Sequence, residues 1–477
     1  MRSTENTNSL PRPDVFNYAF YMTSEMLFLL MPTTFMNIFF TDNLLISATI
    51  VGTVLGIARF FDVAAGLVSG GIIQKTREKG IYYSKWITAT RWFIGCGVIL
   101  MFANTSSMSL PVKLVVVFIA YGMINFSMNF IQTSQFNVLA VIGGTSLEKR
   151  NLLAFRGTQG VTIATLLGSM TLVPIIEKVL TPAIGSNYAY LVMGIVCVLP
   201  YMFGCHFLAR SARKYEETTP VSVGPGVKVV DMIISVLTND QLLILILVMS
   251  SSYIAQYTIM TLAVHYFTYV LGNVMLMTYS MTIGTFVAVA GAFIGPKIGV
   301  MLGKKHAMVV GLLCQGLVLV LVYFFARTSV IAYIILYSFF SITMYIYFSF
   351  NANYTIDTGE YHLHKTGKDN RSLANGMMNI PFKIGMLIGG SVPMLVLGKI
   401  GYQPNMEQTP EFINKFMMMF ALFPAAFCLL AAIIMLFFYK ITDKDAARYA
   451  RENAERAAAA IAASGGDGSL QSAGNKS

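Results

Sequence analysis

Charge is what this chain has least of. Asp, Glu, Lys and Arg make up 12% of its 477 residues, where a soluble domain carries roughly a quarter, and no polar stretch is long enough for a sizeable soluble domain. Cysteine is sparse too. Cys96, Cys197, Cys205, Cys314 and Cys428 all fall in apolar segments without CxxC or metal-ligand spacing, which excludes a disulfide framework and a zinc site. No Gly-rich phosphate loop, nucleophile–base pair or metal cluster stands out, so neither an enzyme nor a cofactor is expected. The segment Met1 to Asp14 lacks the charged region, apolar core and small-residue cleavage site of a signal peptide, so the first helix is expected to stay in the mature protein.

What is abundant is apolar sequence, at 56% of residues. Runs of about 20 apolar residues, enough to cross some 30 Å of hydrocarbon, recur along almost the whole chain. They predict twelve spans at 15–40, 47–73, 86–103, 112–141, 152–174, 188–209, 241–269, 274–295, 307–326, 330–356, 372–398 and 412–439. The connectors alternate in basic content. One side holds 24 Lys and Arg residues, among them Lys75, Arg77, Lys79, Arg210, Arg213, Lys214, Lys304, Lys305, Lys365, Lys368 and Arg371. The other has five: Lys113, Lys178, Arg327, Lys399 and Lys415. Basic loops face the cytoplasm, so both termini are expected there, and the net charge of +11 becomes a topology signal instead of a nucleic-acid footprint. Phe40-Thr41-Asp42 before the second span is echoed by Phe267-Thr268-Tyr269 before the eighth, which suggests two related halves with a cavity between them. The tail from Asp443 to Ala463 is rich in Ala, Arg and Glu and should be helical, ahead of a Gly/Ser-rich end.

Arg59, Arg91, Arg156 and Lys383 remain inside the spans, where a charge is costly unless it faces protein or water. Asp62 follows Arg59 by one helical turn, so the two are expected to interact, either as a structural ion pair or as a protonatable carboxylate on the transport path. Arg91, near the start of the third span, is expected to reach headgroups or the basic loop after the second span. Glu25 has no charged neighbour within a turn, Arg156 faces either the cavity or the interface, and Lys383 is too deep to snorkel easily. Asn125, Asn129 and Thr133 recur at four-residue steps and share a helix face, lining a polar cavity or hydrogen-bonding between helices. Tyr345, Tyr347 and Tyr354, with Tyr253 and Tyr257, could stack on a sugar ring or simply pack.

Several of these segments together carry a family likeness: Phe40-Thr41-Asp42, Ala58-Arg59-Phe60-Phe61-Asp62, Lys75-Thr76-Arg77-Glu78-Lys79-Gly80, Arg150-Asn151-Leu152-Leu153-Ala154-Phe155-Arg156, Asp357-Thr358-Gly359-Glu360-Tyr361, Asn375-Gly376-Met377 with Lys383, and Gly401-Tyr402-Gln403-Pro404-Asn405. In this order the sequence resembles the glycoside-pentoside-hexuronide:cation symporter family of the major facilitator superfamily. The resemblance implies an all-α membrane protein with twelve transmembrane helices in two six-helix bundles, 14–209 and 232–440, with a cytoplasmic start 1–13, a loop 210–231 and a tail 441–477. It also implies a sodium site. Of that site only Asp62 matches, with Ala65, Gly66 and Phe126 at the other positions, so a proton is the expected coupling ion. The sugar-site positions resemble Met26 beside Glu25, Asn129, Arg156 and Lys383.

The expected function is symport of a small polar solute, a glycoside, oligosaccharide or uronide, across the cytoplasmic membrane by a carrier that contacts lipid and works as a monomer. Glu25, Asn129, Thr133, Arg156, Tyr345 and Lys383 are the expected substrate residues, and Asp62 and Arg59 the expected coupling residues. Arg156 and Lys383, left with fewer acidic partners than in the family, suggest an acidic substrate. A membrane sensor built on a transporter fold, or a carrier of amphiphiles or lipids, stays open as a different reading.

Overall fold

The computed structural model describes residues 10–77, 79–144, 146–216, 237–348, 350–367 and 379–471. The first half holds α1 (Arg12–Ile38), α2 (Ala48–Arg77), α3 (Tyr83–Met101), α4 (Leu110–Gly143), α5 (Leu147–Pro174) and α6 (Ser186–Glu216). The second holds α7 (Asp240–His265), α8 (Met275–Leu302), α9 (Lys304–Phe325), α10 (Val330–Phe348), α11 (Asn351–Thr366), α12 (Asn379–Lys399), α13 (Pro410–Met417) and α14 (Phe423–Phe438), followed by a tail helix, α15 (Asp443–Gln471). Ten helical segments are long and apolar enough by themselves to cross a membrane. The first and third expected spans, α1 and α3, fall outside that set: Glu25 with Asn, Ser and Thr dilutes α1, and Lys85 and Arg91 dilute α3. Both nonetheless pack in the bundle, α1 on α5 and α6, α3 on α4 and α6.

The packing repeats between halves. In the first, α1 packs on α5 and α6, α3 on α4 and α6, and α2 on α4. In the second, α7 packs on α12 and α14, α9 on α10 and α14, and α8 on α10. The same graph recurs with α7 for α1, α8 for α2, and onward to α14 for α6, as expected of an internal repeat. Across the halves, α2 meets α12, α5 meets α8, and α1 meets α7. These contacts map onto one another under the same exchange.

The sequence echo has a structural counterpart. Each copy forms a π-helical turn that extends the first helix of its half, Phe39–Asn43 and Tyr266–Val270, and such single turns often mark functional positions. The two turns meet. Tyr269 donates a hydrogen bond to the Asp42 carboxylate, as does Tyr402, while Asn405 Nδ2 donates to Asp42 O at 2.9 Å and Asn405 N to Tyr269 Oη at 3.0 Å. Burial and the adjacent Asp42 hold the Tyr402 phenol far above its ordinary range, so it remains a donor. This latch closes the weakly basic end of the molecule. Beneath it the backbones come close: a methyl at Gly52 of α2 would lie 2.6 Å from Leu395 N of α12, and Gly398 sits directly against Thr49, the small-residue packing that membrane helices favour.

At the basic end the described ion pairs stay within halves. Lys214 pairs with Asp14, Lys365 with Asp240, and Lys304 with Asp357 and Asp443. Two expectations shift here. Helix α6 runs on to Glu216 because that carboxylate accepts from Ser84 N at 2.7 Å and Ser84 Oγ at 2.6 Å, so the loop expected at 210–231 begins as helix and its remainder lies outside the described residues. Helix α15 continues past Ala463 to Gln471, and nothing in the structure explains its passage through Gly465 and Gly466. Asn375-Gly376-Met377, Lys368 and Arg371 also lie outside the described residues.

Candidate functional site

Three side chains from three helices close a ring between the halves. Asp62 of α2 accepts from Asn129 Nδ2 of α4 at 2.6 Å, Lys383 Nζ of α12 donates to Asp62 Oδ2 at 3.0 Å, and the same Nζ donates to Asn129 Oδ1 at 2.8 Å. Lys383 also reaches Asp62 O at 3.2 Å. A residue without a side chain makes the room: a methyl at Gly66 would lie 2.8 Å from Lys383 Cε and Nζ and 3.0 Å from Asn129 Oδ1. The carboxylate and the ammonium compensate each other where neither alone is cheap. With side-chain exposures of 10% for Asp62 and 18% for Lys383, the pair is largely but not fully buried.

Helix α4 positions its share through four-residue steps. Asn125 Nδ2, Asn129 Nδ2, Thr133 Oγ1 and Asn137 Nδ2 each donate to the carbonyl one turn back, which fixes their rotamers along one face. Thr133 also approaches Ser69 Oγ of α2 at 3.4 Å, so it ties α4 to α2 one turn from the ring. Tyr253 and Tyr257 of α7 set their rings edge-on to Phe382, at centroid distances of 5.7 and 5.5 Å, next to Lys383.

Arg59 takes another direction. The expected pairing with Asp62 is not formed, because Lys383 and Asn129 occupy the carboxylate. Arg59 Nε instead donates to Tyr121 Oη at 3.2 Å and Nη1 to Ser391 Oγ at 2.9 Å, and its guanidinium lies against the backbone of Gly390.

Of the other expected residues, Glu25 is buried within the first half among Tyr21, Tyr201 and Cys205, with its Oε1 lacking a hydrogen-bond partner. It faces α6 and not the ring, because positions 21, 24, 25 and 28 form the helix face that packs there. Arg156 is exposed and donates to Gln159 Oε1 at 3.0 Å, one turn along its own helix. Leu153, Gly157 and Gly160 form the buried face of α5, the two glycines against α1, and Arg156 lies off that face. Arg91 donates to Met202 O at 3.4 Å and lies over Trp92 instead of reaching outward. Tyr345 of α10 lies against Gly291 and Gly295 of α8, Tyr347 bonds Ser252 and Gln315, and Tyr354 donates to Lys304 O at 2.8 Å.

Tyr121 and Ser391 were missed by sequence reasoning. Each had a signal: Tyr121 extends the Asn125–Asn129–Thr133 stripe by one step, and Ser391 lies about two turns beyond Lys383 on α12.

The family described as MFS/sugar transport protein matches residues 18–443. Among individual relatives, a putative sulfoquinovose importer of Salmonella typhimurium is 25% identical over 437 residues, covering 90% of each chain. A glucuronide carrier protein homolog of Escherichia coli is 25% identical over 439 residues, again 90% of each. An isoprimeverose transporter of Lactiplantibacillus pentosus is 23% identical over 468 residues, 95% of each. In fold, the nucleoside transporter NupG superposes with a TM-score of 0.63 at 13% identity, over 90% of this chain and all of its own. A peptide transporter POT does so at 0.66 and 10%, over 88% and 93%. The repeat of two six-helix bundles, the match along most of the chain and the motifs agree: this protein belongs to the MFS/sugar transport protein family of the major facilitator superfamily, and is a multi-pass membrane transporter, not an enzyme.

Proposed function

We propose that the protein is a secondary active symporter of a sugar-class solute, a glycoside or uronide, coupled to protons through Asp62, with both termini in the cytoplasm of a cell whose cytoplasmic membrane it spans. The observation that carries this reading is the Asp62–Asn129–Lys383 ring, the one described ion pair whose partners belong to different halves. In an alternating-access carrier such a pair does two jobs. With Asp62 charged, it ties α2 to α12 and neutralises both groups in the empty carrier. With a proton on Asp62 Oδ2, Lys383 loses its counter-ion and turns to the oxygens of an arriving solute, so proton and solute favour each other's binding. Residues 65, 66 and 126 are Ala, Gly and Phe and bring no side-chain oxygen to Asp62, which supports a proton over a sodium ion. The relatives are named as a putative sulfoquinovose importer, a glucuronide carrier protein homolog and an isoprimeverose transporter, which supports the solute class.

Purified protein in proteoliposomes should take up radiolabelled methyl β-D-glucuronide or methyl β-D-glucoside with saturation, and Lys383→Ala should abolish that uptake while reconstituting normally. Undiminished uptake by the Lys383→Ala variant would remove the ring from the transport path.

A further inference from the structure

Among the described residues, Arg59 is a buried cation without a counter-ion. Its residue is 6% exposed, and its two hydrogen-bond partners, Tyr121 Oη and Ser391 Oγ, are neutral. Among the described residues no carboxylate forms an ion pair with it, because Asp62, one turn away on the same helix, is taken by Lys383 and Asn129. A guanidinium carries five N–H donors, and three of these have no described partner. Burying a charge this way is expensive unless something of opposite sign comes to meet it.

The surroundings are built around this group. Arg59 is held from both halves, by Tyr121 of α4 and Ser391 of α12, and Gly390 supplies the gap in which the guanidinium sits, since any Cβ there would collide with Nη1, Cζ and Nη2. Tyr257 of α7 lies near enough to feel its charge. The group lies toward the latched end from the ring, about 4.5 Å further along α2 at 1.5 Å per residue, so a solute touching Asn129 and Lys383 extends naturally to it. Counting charge over the site, Arg59 and Lys383 against Asp62 leave one positive charge, and protonation of Asp62 leaves two.

We propose that Arg59 is the specificity residue of this transporter: its free N–H fork receives the carboxylate or sulfonate of an acidic sugar, while the ring holds the hydroxyls. The proposal rests on the sugar-transport reading and gives Arg59 the anion-binding role that sequence alone gave to Arg156 together with Lys383. A planar guanidinium matches a carboxylate or sulfonate with two parallel hydrogen bonds, which a lysine does not reproduce.

The test uses the full-length protein in nanodiscs and isothermal titration with methyl β-D-glucuronide and methyl β-D-glucoside. The wild type binds the glucuronide at least about tenfold more tightly, the scale of one charge-assisted contact. Arg59→Gln loses that preference and leaves glucoside affinity within about twofold, a difference of under half a kcal/mol; Arg59→Lys recovers part of it. Should Arg59→Gln fail to fold, Gly390→Ala keeps the charge but displaces the guanidinium, and loses the preference as well. Equal loss for both sugars in these variants, or loss of the preference in Arg156→Gln instead, overturns the assignment. A wild type that binds the two sugars equally sinks the acidic subsite and leaves sugar transport standing, whereas a wild type that binds and transports neither sinks both.

Discussion

Asp62 and Lys383 are separated by 321 residues yet hold one another's charge, and this coupling sets what substitution should do. Removing one partner of a buried pair leaves the other uncompensated, at a cost of about 3–5 kcal/mol, whereas replacing both is often close to neutral. Asp62→Asn should therefore lower thermal stability more than the double variant Asp62→Asn/Lys383→Met, as read by unfolding in detergent. A double variant less stable than the single one would show that the pair is not the unit described here. Gly66→Ala should cut transport about tenfold, because its new methyl displaces Lys383 and Asn129 by a few tenths of an ångström or more and misplacements on that scale are costly at binding sites; unchanged uptake in proteoliposomes would contradict it. At this scale the sequence was half legible. Burial cost singled out Asp62, Lys383 and Arg59 correctly as residues needing partners. The partners themselves were not readable: only neighbours along one helix are visible in a sequence, so Arg59 looked like the mate of Asp62. For the same reason the sequence could not show that Glu25 faces α6, that Arg156 bonds Gln159 along its own helix or that Tyr345 lies against α8, since a helical wheel places residues on faces without saying which face meets which helix.

Among elements, the π-helical turns Phe39–Asn43 and Tyr266–Val270 matter most. Their likeness in sequence was visible; their geometry was not, because a π turn differs from an α turn by one hydrogen-bond register and has no residue signature of its own. Asp42 gathers donors from Tyr269, Tyr402 and Asn405, and Leu45 and Asn405 beside it adopt positive φ, at 55° and 59°. For Leu45 this is a strained conformation, flanked by backbone bonds from Leu44 N to Phe39 O and Ile46 N to Phe40 O, both at 3.0 Å. Asp42→Asn should loosen this end. Spin labels on exposed Ile184 in the first half and Met406 in the second, in a cysteine-free background, should report a longer mean separation in the variant than in the parent. An unchanged distance distribution would mean that the close approach of α2 and α12 closes this end unaided. The tail helix α15 is anchored by Asn453 Nδ2 to Glu360 Oε2 at 2.7 Å and by Glu452 to His364 at 2.6 Å. Composition foretold its helicity but not this docking on α11, which rests on three-dimensional proximity.

For the molecule as a whole, the exchange that maps α1–α6 onto α7–α10, α12 and α14 also maps the α2–α12 contact onto α5–α8. The ion pair breaks that symmetry, standing at one of the two equivalent seams. The number of spans, their alternating charge and the division into halves could be read from hydropathy and Lys/Arg positions because the bilayer imposes them on any chain that crosses it. The seam that carries the chemistry could not, since nothing in a single sequence says which helices meet. Coupling at that seam is tested directly by transport into proteoliposomes under imposed gradients. An inward proton gradient should drive accumulation of labelled glucuronide, a sodium gradient at equal pH on both sides should not, and Asp62→Asn should lose accumulation while still exchanging solute across the membrane. Accumulation driven by sodium at fixed pH, or retained by Asp62→Asn under the proton gradient, would contradict the account.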